Sequence, residues 1–194
     1  MALDHVFPVA APASRARDRG LRRIAWFAVL IAAALGSSFT FFCVAPFAAF
    51  AVLTAATLSR RDAFLAVGLI WLANQILGFS ALGYPFEADA LLWGIAIGVA
   101  IFAATQIAVS VFGALRGKAW WQTIPAAFVA AFVTYEVLLY LVSLALGGSQ
   151  NFALDIDAKL ALSDACWLLG LGILRYWLAS FAPTRAPLRQ PVHS

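Results

Sequence analysis

Glu136, Asp164, Cys43, the adjacent pair Asn74 and Gln75, Tyr84 and Tyr140 are the side chains of this sequence best equipped to bind a ligand. Each interrupts or borders an apolar stretch. An ionisable group in lipid is costly to hold, so a carboxylate inside such a run is a functional candidate by default. Glu136 stands within "AAFVTYEVLLYLVS", where helical spacing puts Phe132, Glu136, Tyr140 and Ser143 on one face. Two readings are open for it. One is a carboxylate that binds a cationic or hydrogen-bonding ligand, or passes a proton; the other is a protonated acid bonded to a neighbouring helix. Asp164 is read either as a ligand contact or as a group that solvates the start of its helix. Asn74 and Gln75 are neighbours about 100° apart on a helix, so the spacing predicts that one lines a cavity while the other ties helices together. Gln106 reads as interhelical glue of the same kind.

Cys43 sits in "GSSFTFFCVAPFAAF", Gly36 to Phe50, a polar interruption of a run from Ile24 to Leu58. A lone cysteine is ordinarily a small hydrophobe, but a thiol at a pocket mouth could ligate a soft metal centre. Cys166 is expected one or two turns deeper on another span, a mismatch that argues against a disulfide. The histidines, His5 and His193, both fall in the tails, so no histidine-built haem or zinc site is expected and no cofactor is predicted. There is no Walker motif, glycine-rich phosphate loop, Ser/His/Asp set or HExxH. The sequence therefore reads as non-enzymatic.

The elements that must hold these side chains are set by composition. The 194 residues are 64% hydrophobic and 11% charged, with mean hydropathy +0.91. A soluble domain usually carries about 25% charge, and apolar runs of roughly 20 residues are the mark of membrane helices. Six spans are predicted: Arg22–Ser38, Val44–Leu58, Ala63–Leu82, Ala90–Leu115, Ile124–Leu146 and Ala158–Phe181. One helix from 24 to 58 would run about 50 Å, too long for a core of about 30 Å. The stretch around Cys43 is thus a turn, with Pro46 in the first turn of the second helix. The expected fold is all-α, a polytopic six-helix membrane bundle over 22–182. A basic tail over 1–21 and a second tail over 183–194 are expected to be disordered.

Charge gives the threading a separate test. Twelve of the 13 basic residues fall in the tails, at the adjoining ends of the first and last spans (Arg22, Arg23 and Arg175) or in the loops at Arg60–Arg61 and Arg116–Lys118, all on one side, and only Lys159 falls on the other. By the positive-inside rule both termini are cytoplasmic, and the expected location is the inner membrane of a bacterial cell. Trp26, Trp120, Trp121 and Trp177 are expected at the inner interface and Trp93 at the outer one. A basic segment before an apolar one also resembles a secretory signal, but here the apolar segment feeds straight into another span. Ala25, Ala28, Ala32 and Gly36 form one stripe, and Gly94 and Gly98 another. Small residues let helices approach closely in lipid, and packing within the bundle is the preferred use of both.

A small six-span protein with both ends inside, an Ala28-x3-Ala32 spacing on its first helix and polar residues gathered in the outer half resembles the substrate-binding S-components of energy-coupling-factor vitamin transporters. The resemblance covers nearly the whole chain and lies in architecture. It implies an outward-facing pocket for a vitamin-like or cofactor-precursor molecule that is then moved inward. It also implies Ala28 and Ala32 as a docking face for an energising membrane module, and cobalamin as one candidate, with Cys43 the residue that would ligate its cobalt. Two other readings stand beside it: a proton-coupled small permease relaying through Glu136, and a structural or assembly subunit of a membrane complex. None involves nucleic acid.

Overall fold

The computed structural model describes residues 12–40 and 45–180, with the side chains of 20–37 and 45–180. They form six α-helices and one 3₁₀ turn: α1 Pro12–Thr40, α2 Phe47–Thr57, α3 Arg60–Ser80, α4 Ala88–Ala114, α5 Trp120–Leu146, the turn Ser149–Phe152 and α6 Leu154–Ser180. There is no strand among them. Helices α3, α4 and α5, and the stretch Gly20–Ser37 of α1, are long and apolar enough to cross a membrane. The other two of the six predicted spans do not meet that standard. At 11 residues α2 is only about 16 Å long, roughly half a bilayer core. Helix α6 has the length but carries Asp155, Asp157, Lys159, Asp164 and Arg175.

The short helix is the centre of the bundle. α2 packs against α3, α4, α5 and α6, and every residue from Phe47 to Thr54 is buried. A helix apolar on all sides belongs inside, and this one has no polar side chain before Thr54. The Thr54 and Thr57 hydroxyls donate to the carbonyls of Phe50 and Leu53 in their own helix, so they need nothing from lipid. Alanines spaced four apart, Ala100, Ala104 and Ala108 on α4 and Ala127 and Ala131 on α5, are fully buried. That spacing lets the backbones close on α2. On the α3–α4 contact, a Cβ at Gly98 would lie 2.9 Å from the Trp71 ring. The ring is anchored there, its Nε1–H donating to the Gly94 carbonyl at 2.8 Å.

Successive helices run in opposite directions, and side-chain contacts show which ends meet. Trp26 near the start of α1 donates from Nε1 to Thr57 at the end of α2, 3.1 Å away. Arg23 pairs with Asp62 at the start of α3, at 3.4 Å. Arg60 donates to Gln106 in the second half of α4, at 2.8 Å, so Gln106 does join two helices. Arg175 near the end of α6 stacks on the Trp26 ring, 5.2 Å from its centroid. One end of the bundle therefore gathers the arginines of α1, α3 and α6. Ser59 caps α3 by accepting the Asp62 N–H, and the Asp62 carboxylate sits at the positive end of that helix.

Three expectations change here. Helix α1 begins at Pro12, so much of the tail expected to be disordered is helical. Alanine and arginine are strong helix formers, and they continue the helix beyond the apolar segment. Within α1, Trp26, Leu30, Ala34 and Ser37 are buried, while Ala25, Ala28, Ala32 and Gly36 are exposed. The small-residue stripe faces away from the bundle because Trp26 and Leu30 bury more apolar surface against α2 and α3. Trp26 is thus a core residue held by Thr57, whereas Trp120, Trp121 and Trp177 are exposed.

Candidate functional site

At the end opposite the arginines the helices part around a cavity of about 600 Å³. The short α2 creates it. Because α2 starts in mid-bundle, the space above its first turn is walled by longer helices and floored by Ala45 and Phe47. Helical periodicity supplies the walls: Ala90, Gly94 and Ile97 from α4, and Ile156, Leu160 and Asp164 from α6 at a strict spacing of four. The 3₁₀ turn closes one side with Asn151 and Phe152. Gly147 and Gly148, at φ +84° and +96°, fold the chain back into that turn through a backbone region that side chains rarely adopt.

Asp164 has a structural task that neither sequence reading included. It is buried, and its Oδ1 accepts the Ala49 N–H at 2.7 Å, with the Ala48 amide also facing it. The first amides of a helix have no partner in their own helix, and those of α2 belong to buried residues. A carboxylate 115 residues further along the chain supplies the acceptor, at the positive end of the helix. The sequence carries only half of this signal: a short apolar helix must find an internal acceptor for its first amides, but nothing local says which residue supplies it.

Of the residues singled out from the sequence, Asn74, Gln75, Tyr84, Glu136 and Asp164 line this one cavity. Asn74 and Gln75 both reach it, contrary to the one-in, one-out expectation, because the cavity is wide enough to span 100° of α3. Gln75 lies over Gly94, where a Cβ would come within 2.5 Å of its Oε1. Tyr84 is pinned at the rim. Its ring covers Gly78, its backbone N–H donates to the Gly78 carbonyl at 3.1 Å, and Phe79 meets it edge-on. Tyr140 is not part of the lining: it is 43% exposed and packs against Phe152, ring centroids 5.6 Å apart. Four residues on a helix overshoot a full turn by about 40°, which carries Tyr140 past the edge, so Tyr135, Glu136 and Leu139 face the cavity instead. Cys43 lies outside the described residues, and Cys166 is exposed with a free thiol.

Sequence reasoning missed Phe47, Trp93, Tyr135, Asn151 and Phe152. Trp93, expected at an interface, turns inward, and Tyr135 packs on Phe47 with ring centroids 6.0 Å apart. The lining thus combines aromatic rings, three side-chain amides and two carboxylates from separate helices. It holds no lysine, arginine or histidine among the described residues. Asp157 and Asp164 both lie within electrostatic reach of Glu136. The Asp157 Oδ1 is buried with no donor near it among the described residues. These carboxylates do not converge into a three-ligand metal set there. Such a surface favours a ligand that brings positive charge or several donors and a planar apolar body.

Beneath the cavity the bundle is closed. Leu30, Phe50, Ile70 and Ile101 are fully buried, and the Thr54 and Thr105 hydroxyls are spent on carbonyls of their own helices. Compared with protein-family models, with curated proteins and with solved structures, the chain matches none.

Proposed function

We propose that the protein is a membrane uptake component that captures a small organic cation of vitamin or cofactor-precursor type and passes it inward. The observation that carries this reading is the cavity of about 600 Å³ in which Glu136 and Asp164 face aromatic rings with no basic residue among them. Its volume falls in the usual range for small-molecule sites, and a complete corrinoid is larger than the ligands typical of that range. Cobalamin accordingly drops behind smaller ring-bearing cations. All six helices lie in the bacterial inner membrane in this proposal, with both termini cytoplasmic and the cavity opening outward. The gathering of Arg22, Arg23, Arg60 and Arg175 at the other end supports that orientation. Ala28 and Ala32, exposed on α1, are available to an energising module of the energy-coupling-factor kind.

The test is a thermal-shift and calorimetric panel of cationic, neutral and anionic cofactor precursors on purified protein. Stabilisation by cationic members, lost in Glu136→Gln, is the expected result; no stabilisation by any member removes the reading. A second reading, a proton-coupled permease relaying through Glu136, is favoured by the Asp157 and Asp164 carboxylates near it. It predicts uptake that collapses with the proton gradient and in Glu136→Gln. The closed apolar core below, whose threonines bond only their own helices, gives that relay no onward path.

A further inference from the structure

The second hollow of the bundle lies at the arginine end, about 560 Å³ in volume, between the start of α1, the α2–α3 junction and the end of α6. Its lining has two layers. Val29, Leu58 and Leu178 are apolar, whereas Arg22, Arg23 and Arg175 bring three guanidiniums against the single carboxylate of Asp62. Asp62 is already engaged by Arg23 at 3.4 Å. Arg22 and Arg175 form no ion pair among the described residues, and Arg175 is held in place by stacking on Trp26, which is itself fixed by Thr57. A guanidinium fixed on an aromatic face and lacking a carboxylate is a preorganised phosphate donor.

The depth of the hollow narrows the anion. Tyr176 and Trp177 flank Arg175 on α6 and are 74% and 61% exposed, and Trp120 and Trp121 begin α5 at the same end. Exposed tryptophans and tyrosines mark the level of lipid headgroups, and basic pockets between helix ends at that level suit lipid phosphates. An apolar layer beside the guanidiniums fits acyl chain, which a free phosphate would leave unused. We propose that this groove is a binding site for an anionic phospholipid, its phosphate on Arg22 and Arg175 and an acyl chain along Val29 and Leu178. The site is independent of what the acidic cavity captures.

The experiment places the full-length protein in nanodiscs of phosphatidylcholine containing one-fifth phosphatidylglycerol, and counts retained lipids by native mass spectrometry. The wild type is expected to retain phosphatidylglycerol at least fivefold above its share of the bilayer, and Arg22→Gln/Arg175→Gln to lose that enrichment. Arg116→Gln/Lys118→Gln, which removes two basic residues of the α4–α5 link outside the groove, is the control and should keep it. Equal loss in both double variants would mean diffuse surface charge and overturn the site. Retention unchanged in Arg22→Gln/Arg175→Gln, or no preference for phosphatidylglycerol in the wild type, would overturn it as well. Competition by millimolar inorganic phosphate equal to that by lipid would reduce the groove to a bare anion site and reject the acyl-chain component.

Discussion

The two ends of the bundle hold hollows of nearly equal size, about 600 and 560 Å³, and of opposite charge. Their architecture differs as much as their charge. The acidic cavity is made by a missing length of helix: α2 stops halfway, and α3, α4, α5 and α6 continue past it. The basic groove is made by helix ends that splay apart where the chain meets polar surroundings. In the first, the side chains are fixed by the core and their charges face inward, where low dielectric strengthens any pairing. In the second, two guanidiniums are tethered by Trp26 and Asp62, but water and salt reach them and weaken their pull. The elements that hold the side chains, more than the volume they enclose, set the two hollows apart.

The comparison is broken most severely by removing the group that holds the start of α2 at the floor of the acidic cavity. Asp164→Leu leaves the Ala49 amide buried without its charged acceptor, a loss of about 3 kcal/mol, and thermal unfolding in detergent should show it. Asp164→Asn keeps an acceptor oxygen and should retain most of the stability while losing cation binding. Equal destabilisation by both variants would mean that charge at the α2 N-terminus, and not the hydrogen bond, holds the short helix. Next in size is Gly98→Ala. Its Cβ would meet a Trp71 ring that is anchored to Gly94 and cannot swing aside, at a cost of about 2 kcal/mol. Gly94→Ala meets only the end of the Gln75 side chain, so it should disturb binding in the cavity more than the fold. If the two glycine variants unfold alike, the close α3–α4 approach is not what shapes the wall.

A smaller effect bears on the cavity alone. Glu136→Gln conserves shape and removes one of the two lining charges. A cation should bind at least tenfold more weakly, about 1.4 kcal/mol, with unchanged thermal stability of the unliganded protein. Tyr140→Ala should change binding less than threefold, because its ring supports Phe152 from outside the lining. Calorimetry on both variants sets the inward face of α5 against its outer one; a larger loss in Tyr140→Ala would return Tyr140 to the site.

How far these residues were legible from sequence follows from which interactions are local. Glu136, Asp164, Asn74 and Gln75 were found because a polar group in an apolar run is conspicuous wherever its helix lies. Six helical segments and the gathering of arginines at one end were legible for the same reason. The short second helix was legible too: the predicted span Val44–Leu58, with Pro46 at its start, closely matches the observed Phe47–Thr57, but its place at the centre of four other helices was not. The tie between Asp164 and Ala49 joins segments 115 residues apart, and no local pattern announces it. Tyr135 and Trp93 were overlooked because an aromatic residue in a membrane helix has many apolar uses, and only neighbouring helices choose among them.

The exposed face of α1 gives the smallest expected effect on the fold and the clearest contrast with both hollows. Ala28 and Ala32 were first expected to pack within the bundle, yet both are exposed, and the buried edge of α1 is Trp26, Leu30, Ala34 and Ser37. Adding bulk at an exposed position in lipid costs little, so Ala28→Leu/Ala32→Leu should shift stability by no more than about 0.5 kcal/mol. Ligand binding should also be unchanged, since neither residue borders the cavity. What the larger side chains would block is the close approach of another membrane helix along that stripe. Uptake by cells, or co-purification of an energising partner, should then fall while binding by the purified variant stays intact. A drop in thermal stability would instead mean that this face packs within the protein, and intact uptake would mean that transport does not use it. The separation of binding from uptake in one variant distinguishes a capture protein that needs a partner from one that works alone.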